Sequence, residues 1–279
     1  MKVRAAVLRE MGLPAPYAQS RPIRITEVEL DPPGVGEVLV RTQVAGLCHS
    51  DLSVISGDRP RVMPLALGHE SSGEVVQVGP GVEDLGPGDH VVTVFVPSCG
   101  GCAPCMQGRP ALCEPGARAN TQGTLLGGAR RLHAGGEALN HHLGVSCFAD
   151  HAVVSRRSCV KIEAELSHRE AALFGCAVLT GAGAIINRAR VKPGDTVAIV
   201  GLGGVGLSGL LAAVAAGARR VVAVELDAGK RELARALGAT HLIDPRALEN
   251  DADLLAAAGG AVDVGYDAAG SVPAFETAY

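Results

Sequence analysis

An apolar run from Thr196 to Val200 feeds the glycine turn Gly201-Leu202-Gly203-Gly204-Val205-Gly206. An alanine-rich stretch follows to Gly217, and then a second apolar run from Arg220 to Glu225. This order is met by a strand, a tight turn, a helix packed back on the strand, and a second strand beside the first. Gly201 permits the turn, Gly203 lets backbone amides approach a pyrophosphate, and Gly206 allows the helix to lie close to the sheet. The helix N-terminus then offers its positive end to the phosphates. Glu225 stands about 20 residues beyond the turn, where the dinucleotide fingerprint needs an acid. A carboxylate there accepts hydrogen bonds from the adenosine ribose and repels a 2'-phosphate, so NAD is expected rather than NADP. Lys230 is a candidate further contact to the ribose, although alone it reads as a solvated charge.

A second feature carries metal chemistry. Cys99, Cys102, Cys105 and Cys113 lie in one short loop broken by glycine and proline. Four thiolates at this spacing can close around one zinc, and a closed sulfur shell leaves no position for substrate, so the site is structural. An iron–sulfur cluster is the competing reading. Ferredoxin runs follow their last cysteine with proline after a shorter gap, whereas here Glu114 follows Cys113, which favours zinc. Cys48, His69 and Cys176, with Glu70 beside the histidine, offer a second set. Three ligands leave one position open, as a catalytic zinc requires. Residues so scattered do not establish a site alone; the dinucleotide motif gives them weight. Cys147 and Cys159 read as small buried hydrophobes.

The chain has 279 residues, for which two domains are the prior. A net charge of -4 without a basic cluster argues against nucleic acid. No segment offers about 18 uninterrupted apolar residues, so no membrane span is expected. Met1 runs directly into a charged strand-like segment without the apolar core of a secretion signal. The eight cysteines are therefore expected as reduced thiols and metal ligands in the cytoplasm. From Met1 to about Arg157 the pattern is short strands punctuated by Gly and Pro, with the alternation of half-buried antiparallel strands at Gly36–Val44 and Gly73–Gly79. Residues 167 to 187 read as mostly helical. Beyond them, strands near 197, 221, 241 and 262 alternate with helices, which predicts a parallel, doubly wound sheet.

In this order the motifs resemble the zinc-containing, medium-chain alcohol dehydrogenases: Cys48-His49-Ser50-Asp51, Gly68-His69-Glu70, the four-cysteine lobe, Gly175-Cys176 to Thr180-Gly181, and the glycine turn. The lobe and the segment His141 to Ser146 resemble the long-chain, class III-like branch. The resemblance implies an α/β chain with a mainly β second domain. That is a GroES-like catalytic domain over 1–180 and an incomplete, NAD-binding Rossmann domain over 181–279. It implies two zinc ions per chain, NAD, a small alcohol or aldehyde substrate, and a parent protein that forms homo-oligomers. Position by position, it assigns Cys48, His69 and Cys176 to the catalytic zinc and places Glu70 behind the metal as an acid that can coordinate it. Asp51 is the carboxylate that orients the ligand histidine, and Ser50 the hydroxyl at the substrate oxygen. His49 is the basic residue at the pyrophosphate, Thr180 and Val205 back the nicotinamide, and Phe95 and Phe148 are pocket walls.

Two positions depart from that pattern. Where several members end a proton relay on histidine, this chain has Ser53. Where class III enzymes carry acidic residues before Gly-His-Glu, it has Arg59 and Arg61, which disfavours a glutathione adduct as substrate. Only four strands of a six-stranded dinucleotide domain precede Tyr279, which suggests a fragment of a longer enzyme with the strand at Val262–Tyr266 left as an uncovered edge. The expected reaction is reversible hydride transfer between an alcohol and NAD. A silent zinc- and dinucleotide-binding module is the alternative from another class, and a zinc-free quinone reductase is disfavoured by the ligands present.

Overall fold

The computed structural model describes residues 1–279. They form two compact units, Met1–Cys176 and Ala177–Tyr279. The division falls after Cys176 and not after residue 180, because the helix Ala177–Gly183 packs on the helix Gly204–Ala215 of the second unit.

Ten strands build the first unit: β1 (Lys2–Leu8), β2 (Ile23–Leu30), β3 (Glu37–Ala45), β4 (Leu65–Ala66), β5 (Ser71–Val78), β6 (His90–Thr93), β7 (Leu132–Ala134), β8 (Glu137–His141), β9 (His151–Ser155) and β10 (Cys159–Lys161). β1, β2, β7, β8 and β4 close into a small barrel, and the rest form a sheet in the order β10-β6-β5-β3-β9. Val3, Val7, Leu30, Leu132 and Leu139 fill the barrel side of the core. The turn at Gly86–Asp89 launches β6, as its composition predicts.

The start of β3 departs from the expected alternation, since Glu37 to Val40 are all buried. Leu39 belongs to the barrel core while Val38 and Val40 pack with Val75 and Val91 on the other face, so the start of this strand has no solvent side, whereas Arg41 and Gln43 further on are exposed as expected. Glu37 is tolerated there because Arg131 Nε donates to its carboxylate at 2.8 Å, and a buried charge needs such a partner.

One row of this sheet sets up the site. Ala45 at the end of β3 pairs with Ser71 at the start of β5, and Ser71 pairs with Thr93 at the end of β6. Irregularities after Leu39 and after Thr42 bend β3 on its way to that row. Three chain segments therefore leave the sheet at one end, each just outside the row.

The second unit is a parallel sheet of β11 (Thr196–Val200), β12 (Arg220–Val224), β13 (His241–Ile243) and β14 (Val264–Asp267), in the order β13-β12-β11-β14. This is the 3-2-1-4 portion of the dinucleotide fold, with β14 at one edge and starting at Val264, slightly later than expected. Val197 and Ile199 face one core, Ala198 and Val200 the other. Cover on both faces explains the continuous apolar character of β11 and β12. The stretch expected to be mostly helical over 167–187 is so, in the consecutive helical segments His168–Ala171, Ala172–Gly175, Ala177–Gly183 and Ala184–Ala189, interrupted at Cys176. No single helix in the chain is long and apolar enough to cross a membrane.

Candidate metal centres and cofactor site

Cys48 caps the helix His49–Ile55 from an extended conformation, three residues past Ala45. Asp51, in the first turn, accepts the Cys48 backbone N–H at Oδ2 (3.3 Å) and the ring Nδ1 of His69 at Oδ1 (3.1 Å). His69 lies two residues before Ser71. Gly175, immediately before Cys176, sits so tightly on the Thr93 carbonyl that a Cβ would strike it. The row Ala45, Ser71, Thr93 thus delivers Cys48, His69 and Cys176 to one point. Their ligand atoms lie within 4.8 Å of one another.

The spacing fits zinc. Bond lengths of about 2.3 Å to sulfur and about 2.05 Å to nitrogen in a tetrahedron put two sulfurs about 3.8 Å apart and sulfur and nitrogen about 3.6 Å apart. Cys48 and Cys176 Sγ are 3.9 Å apart, and Cys176 Sγ is 3.5 Å from His69 Nε2. A hydrogen bond from Cys176 holds the Cys48 thiol well below its ordinary range, against the cost of burial, with further help from His69 and Ser50. The Cys176 thiol is pushed up in exchange, by Cys48 and then by burial. Burial opposes charge on His69, yet hydrogen bonds to Asp51 and Cys48 outweigh it and push the imidazole up to about 9. Acidic partners on both sides of a buried histidine make this a pocket that favours positive charge, and a metal ion bound there would displace protons from its ligands. The Asp51–His69 bond leaves Nε2 as the free ligand nitrogen.

Glu70 is also buried, its carboxylate over Gly46, where a Cβ would come within 2.5 Å of Oε2. Ser50 is half-buried, and its amide and hydroxyl reach the Cys48 sulfur. Ser53 Oγ donates to the His49 carbonyl at 3.0 Å, so it is tied to its own helix. Phe95 meets the His69 ring edge-on at 5.9 Å between centroids. Phe148 packs against Gly68 and, partly buried, against two hydrophobic cores. His49 is exposed, and neither Arg59 nor Arg61 forms an ion pair. His142 was not singled out by its sequence. It is 1% exposed, with Nδ1 3.1 Å from Asp51 Oδ1 and its ring 5.2 Å from that of His69. The adjacent His141-His142 pair at a strand end was the available signal, because neighbouring side chains there point to opposite sides.

The four-cysteine loop closes on itself as its spacing predicts. All four Sγ atoms lie within 4.8 Å, with Cys102 and Cys113 at 4.0 Å. Backbone N–H groups of Cys99 and Gly116 donate to Cys113 Sγ, and that of Cys102 to Cys99 Sγ. Backbone donors, Gly101 first, bring the Cys99 thiol down to about 6, while burial first and its neighbours next push Cys105 up to about 11. Cys147 and Cys159 are buried, with thiols pushed up to about 12 by burial.

In the second unit Gly201 has φ +88, and a Cβ there would come within 2.8 Å of Ala269 N. A Cβ on Gly206 would strike the Gly201 carbonyl, whereas nothing lies within 4 Å of one on Gly203. The outer glycines are thus needed for closure and the middle one faces open space above the helix Gly204–Ala215, where a pyrophosphate fits. Glu225 accepts from Leu202 N and Leu226 N at 2.8 Å and from Asp227 N at 3.1 Å. Burial opposes its charge, but these donors keep the carboxyl below its usual range. Lys230 Nζ stands 3.9 Å from it, half-exposed. Beside Glu225 is a cleft of about 190 Å³ bordered by Gly201, Leu226, Pro245, Ala269 and Ala274. Val205 lies at the helix crossing, where a Cβ on Gly181 would strike its carbonyl, and Thr180 is the exposed residue just before Gly181.

Residues 34–164 match the family model of the alcohol dehydrogenase GroES-like domain, and 204–279 that of the zinc-binding dehydrogenases. The chain is 41% identical over 247 residues to an S-(hydroxymethyl)glutathione dehydrogenase of Synechocystis sp., covering 88% of this chain and 65% of that protein. The enzyme of that name from Escherichia coli O1:K1 is also 41% identical, with 88% and 64% covered. The chain thus spans just under two thirds of these curated relatives. An alcohol dehydrogenase zinc-binding domain protein from Burkholderia ambifaria superposes with a TM-score of 0.90 at 35% identity, covering 100% of this chain and 73% of that one. Benzyl alcohol dehydrogenase from Acinetobacter calcoaceticus gives 0.88 at 33%, with the same coverage. Matched by both family models and superposing on these structures at more than 30% identity, this chain belongs to the zinc-containing, medium-chain alcohol dehydrogenase family.

Proposed function

We propose that this chain carries the zinc and NAD sites of an enzyme that moves a hydride between a primary or secondary alcohol and NAD. The observation that carries the reading is the three-ligand cluster of Cys48, His69 and Cys176 at tetrahedral spacing, with the Ser50 hydroxyl against the Cys48 sulfur. When bound, zinc supplies a Lewis acid that eases loss of the alcohol proton, and NAD takes up the hydride. Cys48, His69 and Cys176 hold the first metal, Asp51 fixes the His69 tautomer, and Glu70 stands behind the ligands. Ser50 Oγ receives the alcohol proton as it gives up its own, through the cofactor ribose to solvent. Ser53, already bonded to a backbone carbonyl, does not continue the relay. Cys99, Cys102, Cys105 and Cys113 hold a second, structural zinc. Amides at Gly201, Gly203, Gly204 and Gly206 receive the pyrophosphate, Glu225 selects NAD over NADP, Lys230 supports the ribose, and His49, Thr180 and Val205 complete the cofactor contacts. None of the eight cysteines is in a disulfide, in keeping with a reducing compartment such as the cytoplasm, and the intact enzyme is a homo-oligomer.

Zinc quantitation combined with alcohol-dependent NADH formation tests this. Two zinc ions per chain are expected, and Cys48→Ala should abolish turnover while leaving NAD affinity nearly intact. An equal loss of NAD affinity contradicts the division of roles, and zinc and NAD binding without turnover marks a silent module. A second reading, oxidation of S-(hydroxymethyl)glutathione, is favoured by the names of the curated relatives, and the same panel should include that substrate. The unpaired Arg59 and Arg61 set this chain apart from the acidic pattern of glutathione-using members.

A further inference from the structure

We propose that His142 is a positioning residue that weakens the hold of Asp51 on the ligand ring of His69, and so loosens the first zinc site. The inference rests on the metal reading above. Asp51 is 4% exposed, so its carboxylate has almost no water and depends on protein donors. Its Oδ2 takes the Cys48 backbone N–H, and its Oδ1 bonds to His69 Nδ1 at 3.1 Å. His142 Nδ1 approaches that same Oδ1 to 3.1 Å, off the axis of a formed hydrogen bond, and neither ring nitrogen of His142 has another partner.

The ring is held in place by its backbone. His142 N–H donates to Ser146 Oγ at 3.0 Å and to the Ala66 carbonyl at 3.2 Å, while Ser146 Oγ bonds to Ala66 O at 2.8 Å. The two imidazoles cross at 80°, so they do not stack and both turn a nitrogen toward one oxygen. A carboxylate oxygen drawn toward two N–H dipoles is a poorer acceptor for each. The basicity a ligand histidine gains from its carboxylate partner is diminished to that extent, and the metal is held less tightly.

The opposite signs of two effects make this testable. Removing the second donor leaves Asp51 less well solvated, which lowers the stability of the metal-free chain, and strengthens its bond to His69, which raises zinc affinity. A residue that only fills space would lower both. In chelator competition on the full chain, His142→Phe should bind the first zinc more tightly, on the order of tenfold, while its metal-free form melts lower. His142→Asn, whose amide N–H can stand in the place of Nδ1, should behave as wild type. If the Phe variant does not fold, His142→Gln replaces it, since its longer amide cannot reach that place, and the same tightening is expected. The tightening should vanish in an Asp51→Asn background. Unchanged or weaker zinc binding in both Phe and Gln variants overturns the proposal, and so does a third zinc bound among Asp51, His69 and His142. Wild-type protein that holds zinc only at the four-cysteine loop fails the underlying metal reading instead.

Discussion

Gly68 offers a demanding test of how the ligand segments are held. Its φ is +95, a region costly for a residue with a side chain, by about 1–2 kcal/mol. A Cβ there would also lie 2.7 and 2.8 Å from Cδ1 and Cγ of Phe148, and closer still to Phe148 N. That backbone cannot retreat freely, because Phe148 N donates to Leu67 O at 3.1 Å and Phe148 O accepts from Ala6 N at 2.8 Å. Overpacking of this kind adds about 1–3 kcal/mol, for a total of about 2–5 kcal/mol in Gly68→Ala. For a unit of this size the melting temperature should fall on the order of 10 °C. Gly81→Ala is the control: φ is +79 and nothing lies within 4 Å of its Cβ, so it meets the conformational cost alone. Since His69 follows Gly68 directly, zinc content should also drop from two per chain toward one. The reasoning is refuted if, by calorimetry and metal analysis, Gly68→Ala melts no lower than Gly81→Ala and retains both ions.

Cys102→Ser should lose the loop zinc and lower stability while the first zinc remains, as metal analysis and limited proteolysis of residues 99–113 would show; a folded variant of unchanged stability that lacks that zinc contradicts this. His141 gives a pH dependence whose sign is fixed by burial. It is 1% exposed, accepts the Arg131 backbone N–H at Nε2 (3.1 Å), and burial, assisted by Arg130 and Arg131, lowers it to about 3. The unfolded chain protonates this histidine near pH 6.5 and the folded one does not, so stability present above that pH is lost as the pH falls, by about 2 kcal/mol at pH 5. His141→Gln should show a correspondingly smaller loss between pH 7 and 5 in urea titrations of paired samples, and an equal loss in both proteins would refute the assignment.

The glycine turn and the cysteine loop were legible because their chemistry is local. Gly201, Gly203 and Gly206 act within one turn and the helix that follows, and four thiols within fifteen residues can meet with little help from the rest of the chain. Cys48, His69 and Cys176 gained weight only from the dinucleotide motif and the resemblance, since nothing in their spacing states that Ala45, Ser71 and Thr93 share a row. The alternation expected of β3 holds from Val40 to Val44 but not at its start, where Glu37 to Val40 lie between two cores.

Residue types and short-range order alone thus determined the nucleotide-binding turn, the expected preference for NAD, the structural metal loop and the two-part organisation. Tertiary structure decided that three distant candidate ligands converge at a spacing that fits a tetrahedron, that Asp51 serves both a helix cap and His69, and that His142 meets the same carboxylate. Those relations depend on strand register and on backbones packed too closely for a side chain at Gly68 and Gly175, and such contacts form only when segments far apart in the chain are brought together.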